Sequence, residues 1–344
     1  MTTENTYQQM KEKLGKLIPD FELRHKAGLV EQINELKKER NAIILGHNYM
    51  EPALFHTIPD IVGDSLELAR KAAETDKDII VFCGVRFMAE TAKMLNPAKM
   101  VLLPAEKAGC SLAESITAED VRELKRRFPG IPVVTYINTY AEVKAESDIC
   151  CTSGNAVKIV NSLDSERVIF IPDEYLAKNV ARETGKRIIF PSQIPQPQNG
   201  SPLEYEVIGW KGRCEVHEKF TVEDIENVRR QFPDTIILAH PECSPEVVEA
   251  SDFSGSTSAM IRHVEESKAP RYLLLTECAM GDNIAAANPG KEMLRLCSVR
   301  CPHMNEITLE DTLASLQKLQ YQIELDEDLR RKAVIPVERM LAVK

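Results

Sequence analysis

Three of the nine cysteines share one downstream context. Cys110, Cys214 and Cys301 are each followed seven residues later by Thr-x-Glu-Asp, at Thr117–Asp120, Thr221–Asp224 and Thr308–Asp311. The other six cysteines lack it. One such cysteine per long repeat, in three repeats, allows a single three-thiolate site where the repeats meet. That arrangement suits a metal or iron–sulfur centre with one position left open for chemistry.

The repeat extends upstream. Each cysteine is preceded by an apolar run that ends in polar residues: Ala42–Tyr49, Pro132–Asn138 and Thr235–Glu242. From His47, Tyr136 and His240 it is 18, 17 and 17 residues to a hydroxyl, at Ser65, Ser153 and Thr257. An aspartate lies five residues before each hydroxyl, at Asp60, Asp148 and Asp252. A second apolar run follows in each copy, at Ile79–Phe82, Val168–Ile171 and Tyr272–Leu275.

These runs are short and rich in Ile and Val, as buried parallel strands are. Helix-like segments alternate with them, over 65–73, 87–95, 155–162, 174–183 and 258–266. The pattern predicts an α/β fold of three small α/β domains, each with a parallel sheet. The expected units are 27–115 with Cys110, 116–219 with Cys214 and 220–306 with Cys301. C-terminal helices over 307–344 are expected to pack on the first repeat. Thr-x-Glu-Asp is itself a helix-start signal, with Thr as N-cap and an acidic residue at the third helical position. It predicts helices over 118–128, 222–232 and 309–320. Pro191–Pro202 reads as a surface loop inserted in the second repeat.

The chain has 344 residues and a formal net charge of −10 without a basic block, which argues against nucleic acid or an anionic membrane as partner. The polar N-terminus lacks a signal-peptide core, and no apolar run approaches spanning length. With an odd number of cysteines, these features predict reduced thiols and a cytoplasmic protein.

In parallel α/β domains, ligand-binding residues gather at the carboxyl ends of strands. His47 and Tyr49, Tyr136 and Asn138, and His240 and Glu242 stand at such ends. Ser65, Ser153 and Thr257 open helices, where hydroxyls and backbone N–H groups hold anions, although a hydroxyl there also serves as an ordinary N-cap. His217, in Cys214-Glu-Val-His217, is placed to ligate, to hydrogen-bond the centre or to touch substrate. His25, His56 and His263 read as surface residues. A structural zinc prefers four ligands, often in local pairs, and cysteines this far apart do not fit that. A [4Fe–4S] cluster on three cysteines keeps one iron open as a Lewis acid.

The chain resembles the quinolinate synthase family of NAD biosynthesis over nearly its full length. The stretches that carry the resemblance are Gly46–Tyr49, Gly63–Leu68, Gly84–Lys93, Tyr136–Thr139, Thr152-Ser153, Gly212–His217, His240–Glu242, Gly255–Ser258 and Cys301–Met304. The resemblance implies three similar α/β domains with parallel sheets in a pseudo-threefold arrangement around a central iron–sulfur site, a [4Fe–4S] cluster on Cys110, Cys214 and Cys301. It implies a transferase that condenses iminoaspartate with dihydroxyacetone phosphate to quinolinate, with loss of phosphate and water. The enzyme that supplies iminoaspartate is then a further candidate partner. Substrate contacts are implied at His47, Ser65, Tyr136, Ile137 (through its backbone), Asn138, Ser153, His217, His240, Pro241, Glu242 and Thr257. Catalytic roles fall on His47, Tyr49, Tyr136, His240 and Glu242. Two departures stand out: some members have Cys-x-x-Cys-x-x-Cys where this chain has Cys297-x-x-x-Cys301, and many have Lys at the position of Asn305. The competing readings are a non-catalytic redox or iron sensor and a simple hydro-lyase with an open-iron cluster.

Overall fold

A computed structural model describes residues 2–191, 205–296 and 299–343. Cys297 and all of the expected Pro191–Pro202 loop except its first residue lie outside them. The described strands form three parallel sheets. The first contains β1 (Ala42–His47), β2 (Ile61–Gly63), β3 (Ile79–Cys83) and β4 (Met100–Leu102), in the order β2-β1-β3-β4. The second contains β5 (Val133–Tyr136), β6 (Ile149–Cys151), β7 (Val168–Ile171), β8 (Ile188–Ile189) and β9 (Val207–Gly209), in the order β6-β5-β7-β9-β8. The third contains β10 (Ile236–Ala239), β11 (Phe253–Ser254), β12 (Arg271–Leu275) and β13 (Glu292–Arg295), in the order β11-β10-β12-β13.

The first and third sheets share one strand order, and the second adds β8 outside the same arrangement. The chain is therefore α/β with three similar units, as the alternation of apolar runs and helices predicts. The central strands are buried along their length, as in β1 and β3 where every residue is buried. Helices on the faces of a parallel sheet remove both sides from water, which explains the Ile/Val runs without polar alternation.

The repeated motifs have local causes. Thr117 and Asp120, and Thr221 and Asp224, form reciprocal capping boxes for helices Ala118–Arg127 and Val222–Gln231. Thr308 caps Leu309–Lys318 by accepting from Asp311 N. The repeated aspartates join strands. Asp60, Asp148 and Asp252 accept from the backbone N–H of Ile44, Val133 and Ile237 at 2.9, 2.8 and 2.8 Å. Their own N–H groups donate back to the carbonyls of those residues.

Helix Asp20–Glu39 precedes β1, and a separate helix, Thr3–Leu14, stands before it. Helix Leu309–Lys318 lies beside Asp20–Glu39, where Arg40 donates to Gln317 O. Its Thr312 hydroxyl is 3.8 Å from Cys83 Sγ at the end of β3. The last helix, Glu327–Ala342, departs from the expected seat on the first repeat. It spans the seam between the first and second units, with Arg330 donating to Met94 O and Arg339 to Asp148 O. Its apolar face, Ala333, Val334, Val337 and Met340, is buried there. Among the described residues no helix is long and apolar enough to cross a membrane.

Candidate active site where three sheets meet

The carboxyl ends of β1, β5 and β10 converge on one cavity, the kind of place where parallel α/β units bind ligands. His47, Tyr49, Ser65, Tyr136, Asn138, Ser153, His217, His240, Glu242 and Thr257 line it, together with Cys110, Cys214 and Cys301. Ile137 and Pro241 do not line it. The carbonyl of Ile137 accepts from Lys144 and that of Pro241 from Asn179, so both serve the turns that carry their neighbours.

The hydroxyls are not the caps of their helices. Asp64 caps Ser65–Glu74 and Ser256 caps Thr257–Glu266. Ser153 lies in the turn before Ala156–Ser162, whose cap position is Asn155. Asn155 Oδ1 accepts instead from Thr152 N at 2.7 Å. Ser65, Ser153 and Thr257 are thus spared the N-cap role and stand on the cavity wall. Thr257 accepts from Asn48 Nδ2 at 2.9 Å, which ties the first unit to the third.

Glu242 is the electrostatic centre. Its Oε2 lies 2.7 Å from His217 Nδ1 and 3.4 Å from His240 Nδ1, and its Oε1 accepts from Asn138 at 3.4 Å. Burial works against its charge, but the His217 and His240 rings and the Tyr136 hydroxyl together hold the carboxyl below its usual range. Asp173, at the start of helix Glu174–Thr184, goes the other way. Burial and the nearby Glu242 charge push it well up. The two buried acids are thus pushed in opposite directions. Burial holds the His47 and His240 imidazoles down to about 4 and about 3, with the His217 ring adding to the effect on His240. Burial also raises Tyr49 and Tyr136 well above the phenol range. Near neutral pH the His47 and His240 rings are neutral, Tyr49 and Tyr136 are un-ionised phenols, and Glu242 is a carboxylate.

The sequence pattern does not single out Thr276 and Glu277, which follow β12. Thr276 Oγ1 lies 2.6 Å from the Tyr49 hydroxyl and 3.0 Å from His217 Nε2. Glu277 accepts from Cys301 N at 3.4 Å and from Ala279 N at 2.7 Å. The matching positions of the other units hold Gly84-Val85 and Pro172-Asp173, so repetition carries no signal for either residue. The cysteine loops are also joined to one another: Glu215 accepts from Ser111 at 2.8 Å and lies 3.3 Å from His303. His56, read as a surface residue from sequence, is half-buried with its Nε2 unpartnered in the protein.

The three cysteines are unpaired thiols. Burial pushes Cys110 up to about 12, Cys301 up to about 11 and Cys214 well above its ordinary value. Such thiols become thiolates when a cation supplies the compensating charge. Among the described residues, Cys214, His217 and Glu242 also form a set whose ligand atoms lie within 4.8 Å of one another.

A family model for the quinolinate synthetase A protein matches residues 31–342. The chain belongs to the quinolinate synthetase A family. It is 53% identical over 332 residues to quinolinate synthase 2 of Mesorhizobium japonicum, covering 96% of each chain. It is 51% identical over 333 residues to the quinolinate synthase of Sinorhizobium fredii, covering 97% of this chain and 87% of that one. It is 51% identical over 332 residues to that of Agrobacterium fabrum, covering 96% and 90%. Family membership thus embraces all three sheets and all three cysteine loops.

Proposed function

We propose that this chain is a cytoplasmic quinolinate synthase, a transferase of NAD biosynthesis. It would condense iminoaspartate with dihydroxyacetone phosphate to quinolinate, with release of phosphate and two waters. The observation that carries the reading is the convergence of Cys110, Cys214 and Cys301, one from each unit, on the cavity lined by the strand-end residues. The donor set fits a [4Fe–4S] cluster: three sulfurs from separate units, with no disulfide among them. When bound, such a cluster supplies an iron without a protein ligand, a Lewis acid toward a substrate oxygen.

The protein's own groups divide the remaining work. Ser65, Ser153 and Thr257, with the amides of the helix starts beside them, suit carboxylate and phosphate oxygens. Glu242, held ionised, is the proton acceptor, and Asn138 and His217 fix its orientation through the contacts at its two oxygens. Tyr49 and Tyr136 stay protonated and donate hydrogen bonds to developing negative charge. His47 and His240 enter as neutral rings able to relay a proton between hydrogen-bonded partners. Burial of the wall excludes water from a nitrogen-containing, hydrolysable substrate.

Anaerobic purification, assay of iron and acid-labile sulfide, and incubation with both substrates test the reading. About four irons per chain, as one such cluster requires, together with quinolinate formation, are expected. A colourless protein that makes quinolinate without iron overturns the cluster, and an iron–sulfur protein that makes none overturns the reaction. The spacing of Cys214, His217 and Glu242 supports a second reading, a mononuclear centre. One metal per chain without sulfide would identify it.

A further inference from the structure

Each strand-end turn at the cavity presents two carbonyls to one buried donor. Asn283 Nδ2 donates to Asn48 O at 3.2 Å and Met50 O at 2.9 Å. Asn179 Nδ2 donates to Pro241 O at 2.9 Å and Cys243 O at 3.0 Å. Lys144 Nζ donates to Ile137 O at 2.9 Å and also to Thr139 O. The acceptors lie one and three residues past His47, His240 and Tyr136 respectively. The same two-carbonyl clamp therefore recurs, although the donor residue changes. All three donors are buried.

The amide orientation is informative. Only the NH2 end of an asparagine satisfies two carbonyls, and this leaves Asn179 Oδ1 and Asn283 Oδ1 without a protein partner. A buried acceptor left unpartnered is costly, so the donor end is the one the fold requires. The amides also cross seams. Asn283, on helix Cys278–Ala287 of the third unit, holds the first unit's turn. Asn179, on helix Glu174–Thr184 of the second, holds the third unit's turn.

At the remaining seam, Thr91 stands eight residues past the end of β3, as Asn179 does past β7 and Asn283 past β12. Its hydroxyl donates to Phe87 O of its own helix. The second unit's turn is held from within by Lys144. The first unit contributes Glu90, which accepts from Ala141 N at 3.0 Å; burial pulls Lys144 down, and the Glu90 charge works against that.

We propose that Lys144, Asn179 and Asn283 are positioning residues. They fix the turns from which His47 and Tyr49, Tyr136 and Asn138, and His240 and Glu242 face the cavity. The proposal rests on the reading of that cavity as the reaction site.

Lys144→Met, Asn179→Leu and Asn283→Leu keep side-chain bulk and remove the donors. In the iron-loaded enzyme each is expected to lower kcat by about tenfold to a hundredfold through misplacement of reacting groups. KM should change less, and iron content and the visible spectrum should be retained. Amide hydrogen exchange should quicken in the affected turn. Adding Thr91→Asn to Lys144→Met places an amide where the other two seams have one, and kcat should recover in part. Unchanged kcat, or a loss that follows only the folded fraction, overturns the proposal. Where the larger changes unfold the protein, Asn283→Ser decides: slowed turnover at full iron content supports positioning and unchanged turnover refutes it. A wild-type protein that forms no quinolinate refutes the reaction instead. Hydrogen exchange then still decides the clamp, with faster exchange confined to the turn supporting it and unchanged exchange refuting it.

Discussion

Near the start of the first strand of each sheet an aspartate grips the backbone, and five residues further along the chain a hydroxyl stands at the cavity. Asp60, Asp148 and Asp252 recur as regularly as Ser65, Ser153 and Thr257. Yet the aspartates are occupied by the N–H groups of Ile44, Val133 and Ile237, while the hydroxyls line the site. Recurrence alone does not separate scaffold from chemistry in a repeated fold. The end of the strand does, because helix N-termini and unpaired backbone gather at the carboxyl edge. Substitutions at the two ends should therefore fail in different ways.

The largest effect is expected at the cysteines. Cys301→Ser should abolish assembly of the iron–sulfur centre and take quinolinate formation below detection, because a serine oxygen is a poor substitute for a thiolate toward iron. Cys297→Ser, four residues away and without the seven-residue register to Thr308, should keep both. Iron and sulfide assays on the two variants check this. The reverse outcome would place the third ligand at Cys297.

Glu242→Gln comes next. It preserves shape and removes the only charge that His217 and His240 share. Turnover should fall by about 10²–10⁴-fold, the usual worth of a positioned acid–base group, at unchanged iron content. Loss of iron in step with activity would instead make Glu242 a ligand, as the mononuclear reading requires.

Much of this was legible in the sequence for a physical reason. Capping boxes are local, so Thr117, Thr221 and Thr308 announce their helices, and the cysteine register follows from them. Alternating apolar runs announce parallel sheets. The hydroxyls were legible as helix openers, but not the fact that Asp64 and Ser256 relieve two of them of capping. Residues that act across a seam were hidden. Thr276, Asn179 and Asn283 gain their roles from neighbours far away in sequence, Lys144 acts within its own unit but no motif marks it, and no single donor type recurs in all three units. The seat of the final helix was hidden for the same reason: its apolar face says that it packs, not on which unit.

Acid stability sharpens the contrast by showing what burial of the site's rings costs. Burial holds His47 and, outside the cavity, His56 down to about 4, from 6.5. Between those values the unfolded chain binds protons that the folded chain refuses, so stability falls as pH falls. The contribution is fully present above about pH 6.5 and is lost as pH drops through 4. It is on the order of 3 kcal/mol for fully buried His47 and less for His56, at about 1.4 kcal/mol per pKa unit. Urea denaturation at pH 7.5, 6, 5 and 4 measures the slope, and His56→Asn should flatten part of it. A pH-independent midpoint would mean that the rings are not held neutral.

The smallest effect is expected at the structural aspartate, and it tests the comparison most directly. Asp252→Ala leaves Ile237 N without its partner and frees Arg229, which pairs with Asp252 at 2.9 Å. Arg229 is half-exposed and its loss of a partner should matter little. The unpaired strand N–H should dominate, at about 1–3 kcal/mol of stability. Turnover per folded molecule and iron content should stay at wild-type levels, because the aspartate touches backbone on the far side of the turn. Thr257→Ala, five residues along the same chain, should do the opposite. It removes a cavity hydroxyl that accepts from Asn48, which keeps Ser258 Oγ as an acceptor at 3.4 Å, so turnover should drop while the denaturation midpoint moves less than for Asp252→Ala. Paired measurement of midpoint and kcat on the two variants gives a crossed pattern if strand end decides role. If Asp252→Ala slows turnover without loss of stability, the aspartate reaches the chemistry and the division between the two ends of the sheet fails.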